Sequence, residues 1–157
     1  MLPQKKRLVS LIIVPLLLAG CASTDDSKVK TNSAKPPANT ADVNSLNDLR
    51  QQKMIFFTFD NSTIQPKYIE VLKAHAKYLT NHPDDTIKIE GHCDERGTPE
   101  YNIALGERRA KATMKYLQNL GVSKKQMTTI SYGEEKPYVD ESNSSAYAQN
   151  RRAVIVY

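Results

Sequence analysis

The sequence predicts an α+β fold in which helices pack on one mixed four-stranded sheet, with a leader and a polar tether ahead of the folded part. Three observations predict it. Apolar and aromatic residues fall in short strand-like stretches near 54–60, 86–93, 127–132 and 152–157. Between the first three lie two runs with helical spacing, 66–82 and 99–120, so the order reads βαβαββ. Residues 22–51 carry no aromatic side chain and are dominated by Ser, Thr, Asn, Ala, Lys and Pro, too polar to offset the entropy of ordering.

The leader comes first. Lys5, Lys6 and Arg7 precede an apolar run over 8–18, which suits a secretory signal and falls short of the ~20 residues a spanning helix needs. It ends Leu18-Ala19-Gly20-Cys21, small residues before a cysteine, as in a bacterial lipobox where the cysteine is lipidated and becomes the new first residue. The expected organisation is therefore a signal peptide at 1–20, lipidated Cys21 with a flexible tether to 51, and a folded domain at 52–157. A tether of about thirty residues averages ~30 Å end to end and can stretch to ~100 Å. Within it, 43–50 can form a short helix.

Cleavage also revises the charge. The whole chain has 22 basic and 17 acidic residues, +5; losing Lys5, Lys6 and Arg7 leaves 19 against 17, or +2. A mixed-charge surface explains that balance, and it gives no argument for nucleic-acid binding. Export implies an oxidising compartment, yet the cysteines are only Cys21 and Cys93. With Cys21 acylated, Cys93 has no intrachain partner and its strand parity with Ile87 and Ile89 predicts a buried, inert thiol.

In the domain, 54–60 has the branched and aromatic content of a strand, and Asp60-Asn61 ends it with turn chemistry. Pro66 opens a helix whose apolar face is Tyr68, Leu72, Ala76 and Leu79, stopped by His82-Pro83. The second strand alternates Ile87 and Ile89 with Lys88 and Glu90, placing Asp94 just past its end. Gly97 permits a turn, Thr98 can cap a helix and Pro99 suits its first position. That helix closes at Gly121. A third strand ends at Gly133, a polar and partly helical stretch covers 134–150, and a last strand begins at Arg152.

The second helix holds the chemistry. Leu105, Ala112, Tyr116 and Leu117 share an apolar arc into which Asn102 and Arg109 also fall. A charge there must find a partner or face a cleft, because burying it unpaired costs several kcal/mol. Asp94 is the candidate partner, and spacing alone leaves a structural ion pair and a binding cleft both open.

The motifs Gly91-His92, Asp94-Glu95-Arg96-Gly97-Thr98-Pro99-Glu100-Tyr101-Asn102 and Leu105-Gly106-Glu107-Arg108-Arg109-Ala110 resemble those of the peptidoglycan-associated lipoproteins of the OmpA-like family. Ser131-Tyr132-Gly133, Lys136-Pro137 and Asn150-Arg151-Arg152-Ala153-Val154 extend the resemblance over 54–157, beyond the lipobox and tether. The resemblance implies an OmpA-like fold, no enzymatic activity, no cofactor or metal, and non-covalent binding of diaminopimelate in peptidoglycan stem peptides. The family's Asn-x-x-Leu-x-x-x-Arg pattern maps onto Asn102, Leu105 and Arg109, and its acidic position onto Asp94. Asp94 would take the ligand's ammonium and Arg109 its carboxylate, with ligand inserting between two side chains that otherwise touch. Asn102 would add neutral hydrogen bonds, and Phe59, Asp60 and Leu105 would shape the cleft. The resemblance further implies an outer-membrane lipid anchor on Cys21 facing the periplasm, with TolB and other Tol proteins as partners. Thr58 and Thr63 stand where relatives often have Asp, and Cys93 where Ala or Thr is usual.

Two other readings compete. His92, Asp94, Glu95 and Glu100 as acid-base groups, or His75, His82, His92 and Cys93 as metal ligands, meet no full constellation such as HExxH. The other alternative is a periplasmic protein-binding adaptor with little wall contact.

Overall fold

A computed structural model describes residues 40–157; the signal peptide, Cys21 and most of the tether lie outside the described residues. The elements run α1 (Thr40–Gln51), β1 (Met54–Phe56), α2 (Ile69–Asn81), β2 (Ile87–His92), α3 (Pro99–Asn119), β3 (Met127–Gly133), α4 (Ser144–Asn150) and β4 (Arg152–Val156). The strands form one mixed sheet in the order β1-β4-β2-β3. β2 and β3 are parallel, joined across α3, whereas β4 runs antiparallel to both β1 and β2. This is the α+β architecture the sequence predicts.

The alternation in β2 sets the layers. Ile87 and Ile89 are buried and join Leu72 and Leu79 from α2, Leu117 from α3 and Ile155 from β4 in the main core. Each such side chain contributes ~1.5–3 kcal/mol on leaving water. α3 starts as expected: Thr98 Oγ1 accepts from the Tyr101 amide at 3.2 Å and Pro99 occupies the first turn. Past its end, Gly121 takes φ 96°, a left-handed conformation that suits glycine. α4, the helical part of the polar stretch, is capped by Asn143, whose Oδ1 accepts from the Ala146 amide at 2.9 Å.

Three boundaries differ from expectation. The first strand stops at Phe56, whose partner Arg152 begins β4, and one further backbone bond, from the Phe57 amide to the Arg151 carbonyl at 2.9 Å, is made before the chain leaves the sheet. The chain then turns through Asp60 at φ 52°, carrying Phe59 and Asp60 away from the sheet. Pro66 opens a 3-10 turn over Pro66–Tyr68, and regular helix follows from Ile69. Finally, the short helix expected over 43–50 within the tether runs longer, over Thr40–Gln51. Its end packs on the domain: Leu49 lies against the core, and the Arg50 guanidinium sits 4.2 Å over the Tyr78 ring. Nearby, His75 Nδ1 meets the Tyr157 hydroxyl at 2.8 Å and Nε2 meets the Gln52 carbonyl at 2.9 Å.

Candidate functional site

α3 lies unusually close to β2, and glycine is the reason. A Cβ on Gly91 would stand 1.8 Å from the Gly106 carbonyl oxygen, and one on Gly106 would stand 2.3 Å from Ser131 Oγ. The two glycines let helix and strand touch through backbone. Asn102, Leu105 and Arg109, on the same side of α3, are thereby brought beside the residues that follow β2.

They line a pocket of about 180 Å³ together with Asp94, Phe59 and Asp60. Every side chain expected to form the cleft is there. Phe59 and Asp60 arrive from the loop after β1, where the Tyr101 hydroxyl donates to Asp60. Leu105 is buried and supplies the apolar wall.

Arg109 is fully buried. Its Nε donates to the Asn61 carbonyl at 2.9 Å, Nη1 to the His92 carbonyl at 2.8 Å and to Cys93 Sγ at 3.2 Å, and Nη2 to the Thr58 carbonyl at 3.4 Å. Three carbonyls and one sulfur thus take four of its five N–H groups, and among the described residues no carboxylate pairs with its charge. Burial pulls its pKa below the usual arginine value, though a guanidinium remains a cation at neutral pH.

The expected contact between Asp94 and Arg109 is not made. Asp94 instead pairs with Arg96 at 2.8 Å and with Arg151 at 3.1 Å. The physical reason is reach. Arg96, two residues on, folds back so that Nε donates to Oδ1 at 3.0 Å while its amide donates to the same oxygen at 3.1 Å. Arg151 comes from the junction between α4 and β4, anchored by its Nε on the Phe57 carbonyl at 3.2 Å. Burial works to raise the Asp94 pKa, and the hydrogen bonds from Arg96 and Arg151 outweigh it, so the carboxyl lies below its ordinary range.

Asn102 is also used differently. Its Nδ2 donates to the carbonyls of Asp94 at 3.2 Å and Arg96 at 3.3 Å and to the Glu134 carboxylate. Those donors hold the 94–97 loop against α3, so the side chain shapes the pocket by fixing the loop that carries Asp94. Cys93 is buried, as its parity predicts, and is not in a disulfide. Its Sγ donates to the Asn102 carbonyl at 3.3 Å, and burial pushes the thiol up to about 11, so it stays neutral.

Arg96, Arg151 and Tyr101 line the pocket too, and the sequence reading did not single them out. Arg96 and Tyr101 stood inside the quoted motif around Asp94, and Arg151 begins the cationic pair before the last strand. Their roles follow from tertiary proximity alone. Arg96, Arg109 and Arg151 against Asp60 and Asp94 leave the pocket with an excess of positive charge.

The sequence profile of the OmpA family matches residues 56–151. A peptidoglycan-associated lipoprotein of Pasteurella multocida is 49% identical over 114 residues, covering 72% of this chain and 76% of that one. That of Haemophilus influenzae is 44% identical over 141 residues, 89% of this chain and 90% of the other. The crystal structure of the peptidoglycan-associated lipoprotein from Burkholderia pseudomallei superposes with a TM-score of 0.70 at 43% identity, covering 73% of this chain and 98% of that one. The chain belongs to the peptidoglycan-associated lipoproteins of the OmpA family.

The structure shows how Thr58, Thr63 and Cys93 are accommodated. Thr58 meets Arg109 through its carbonyl, so the identity of its side chain does not enter that contact. The Thr63 amide, likewise, donates to Asn61 Oδ1 at 2.6 Å. Cys93 keeps a small side chain at the crowded junction of β2 and α3 while its sulfur accepts from Arg109.

Proposed function

We propose that this OmpA-family lipoprotein binds peptidoglycan non-covalently, taking the diaminopimelate of a stem peptide into the pocket between Asp94 and Arg109. One observation carries the reading: a buried carboxylate and a buried guanidinium unpaired with one another line a single pocket, opposite charges set for a side-chain terminus that bears both an ammonium and a carboxylate. The pocket's size agrees. About 180 Å³ falls below the ~300–1,000 Å³ of sites that enclose drug-sized ligands, so it suits the end of a side chain rather than a whole disaccharide-peptide.

The role is retention without cleavage. Residues 1–20 act as signal peptide, Cys21 carries lipid in the outer membrane, and the chain from there toward α1 spans to the wall from the periplasmic side. The lipobox and the family resemblance support this placement. The same resemblance supports Tol proteins, TolB among them, as partners. Sedimentation with purified diaminopimelate-type peptidoglycan tests the wall reading. The whole chain in detergent should pellet uncleaved, and folded Asp94→Asn and Arg109→Lys variants should stay in solution; variants that pellet as well as the native chain would place wall binding on another surface.

A further inference from the structure

The geometry points to Arg96 as an internal competitor that takes the place on Asp94 where a ligand's ammonium would sit, so that a ligand must bring its own cation to open the site. This rests on the stem-peptide reading above. The two arginines on Asp94 are held very differently. Arg151 is only 14% exposed, and besides its contact with Asp94 its Nε is fixed on the Phe57 carbonyl at 3.2 Å. Arg96 is 43% exposed, and among the described residues its guanidinium reaches Asp94 and two ring faces, Phe59 at 4.2 Å and Tyr147 at 4.7 Å.

Asp94 itself is 4% exposed, and Arg96 covers both of its oxygens, with Nε on Oδ1 at 3.0 Å and Nη2 on Oδ2 at 2.8 Å. Removing that fork leaves the carboxylate oriented, because Arg151 still holds Oδ2 and the Arg96 amide still holds Oδ1 at 3.1 Å. The released guanidinium is already on the solvent side. An anion alone can approach Arg109 but cannot replace Arg96 on Asp94. A zwitterion does both, so the exchange selects ligands that carry an ammonium next to a carboxylate.

Affinity is then reduced by the fraction of time Arg96 occupies Asp94, and removing its charge restores it. Calorimetry on the whole chain in detergent, with the tripeptide L-Ala-γ-D-Glu-meso-diaminopimelate and the same peptide acetylated on its side-chain amine, tests this. Arg96→Gln should bind the free-amine peptide about 5- to 10-fold tighter than the native chain, if Arg96 holds Asp94 for about nine-tenths of the time. Arg96→Lys, which keeps a cation there, should stay within about 2-fold of native, and the acetylated peptide should gain nothing from Arg96→Gln. Equal or weaker binding by Arg96→Gln, or the same gain on the acetylated peptide, overturns the competitor while leaving the stem-peptide site standing. No binding of the free-amine peptide by the native chain or either variant overturns both.

Discussion

Gly91→Ala is the substitution that most directly ties the fold to the site. The new methyl would stand 1.8 Å from the Gly106 carbonyl oxygen and 2.5 Å from its carbonyl carbon, where ordinary contact begins near 3.4 Å. No rotamer change relieves this, because the obstacle is backbone inside α3. The helix must retreat by about 1.6 Å at that point. A gap of even ~0.5–1 Å forfeits a quarter to a half of a dispersion contact, and Leu105, Ala110 and Leu117 all lie buried on α3. Overpacking of this kind costs ~1–3 kcal/mol before such losses, so the total should be about 3–5 kcal/mol, out of the ~5–15 that a domain of this kind has. Urea denaturation gives the cost, and sedimentation with peptidoglycan gives the effect on function. Both should suffer, since Asn102, Leu105 and Arg109 move away from Asp94 with the helix. Gly106→Ala is the graded control: its nearest obstacle is a hydroxyl 2.3 Å away, so its cost should fall in a Ser131→Ala background. A Gly91→Ala protein within about 1 kcal/mol of native that still pellets with the wall would refute the claim that this glycine contact positions the site.

Arg109→Ala should destabilise the domain by about 3–5 kcal/mol, because the buried carbonyl of His92 and the part-buried carbonyl of Asn61 lose a charged donor, and Arg109→Lys should cost less than Arg109→Ala; chemical denaturation of both separates scaffold from ligand roles. His92 is buried, and burial, then the charge of Arg152, lowers its pKa from 6.5 to about 4. The folded state therefore binds fewer protons than the unfolded one between those values, so this stabilising contribution is complete above about pH 6.5 and is lost as pH falls toward 4. The loss should reach about 3 kcal/mol and should vanish from the stability-pH profile of His92→Gln, while NMR titration reads the pKa directly. Tyr157→Phe removes the hydroxyl that meets His75 and should cost about 1 kcal/mol in thermal or urea unfolding.

The fold was legible wherever one local signal decided an element. Ile87 and Ile89 set the strand parity, Thr98 and Pro99 set the start of α3, and Gly121 marked its end, all by short-range chemistry that tertiary packing did not override. The early end of β1 was not legible, since 54–60 carries strand-forming residues throughout and where the chain leaves the sheet is a matter of its pairing with β4. α1 shows the same limitation from the other side. A short helix over 43–50 was legible within the tether-like composition, but its docking was not, because the Arg50 guanidinium finds its aromatic partner Tyr78 in a different helix.

The site divides along the same line. That Asp94, Asn102, Leu105 and Arg109 would converge followed from a strand end leading through a short loop into an amphipathic helix. Which charges would pair did not follow, because Asp94 had more than one guanidinium within reach and the choice depended on Arg151, 57 residues away in sequence. The outcome has a chemical logic. Were Asp94 and Arg109 bonded to each other, a ligand would have to break a buried ion pair, and removing one partner from such a pair costs ~3–5 kcal/mol. With Arg109 bonded to carbonyls and the Cys93 sulfur and Asp94 covered by the half-exposed Arg96, neither buried charge depends on the other. A zwitterion can then exchange with the half-exposed Arg96 instead of splitting a buried pair between Asp94 and Arg109.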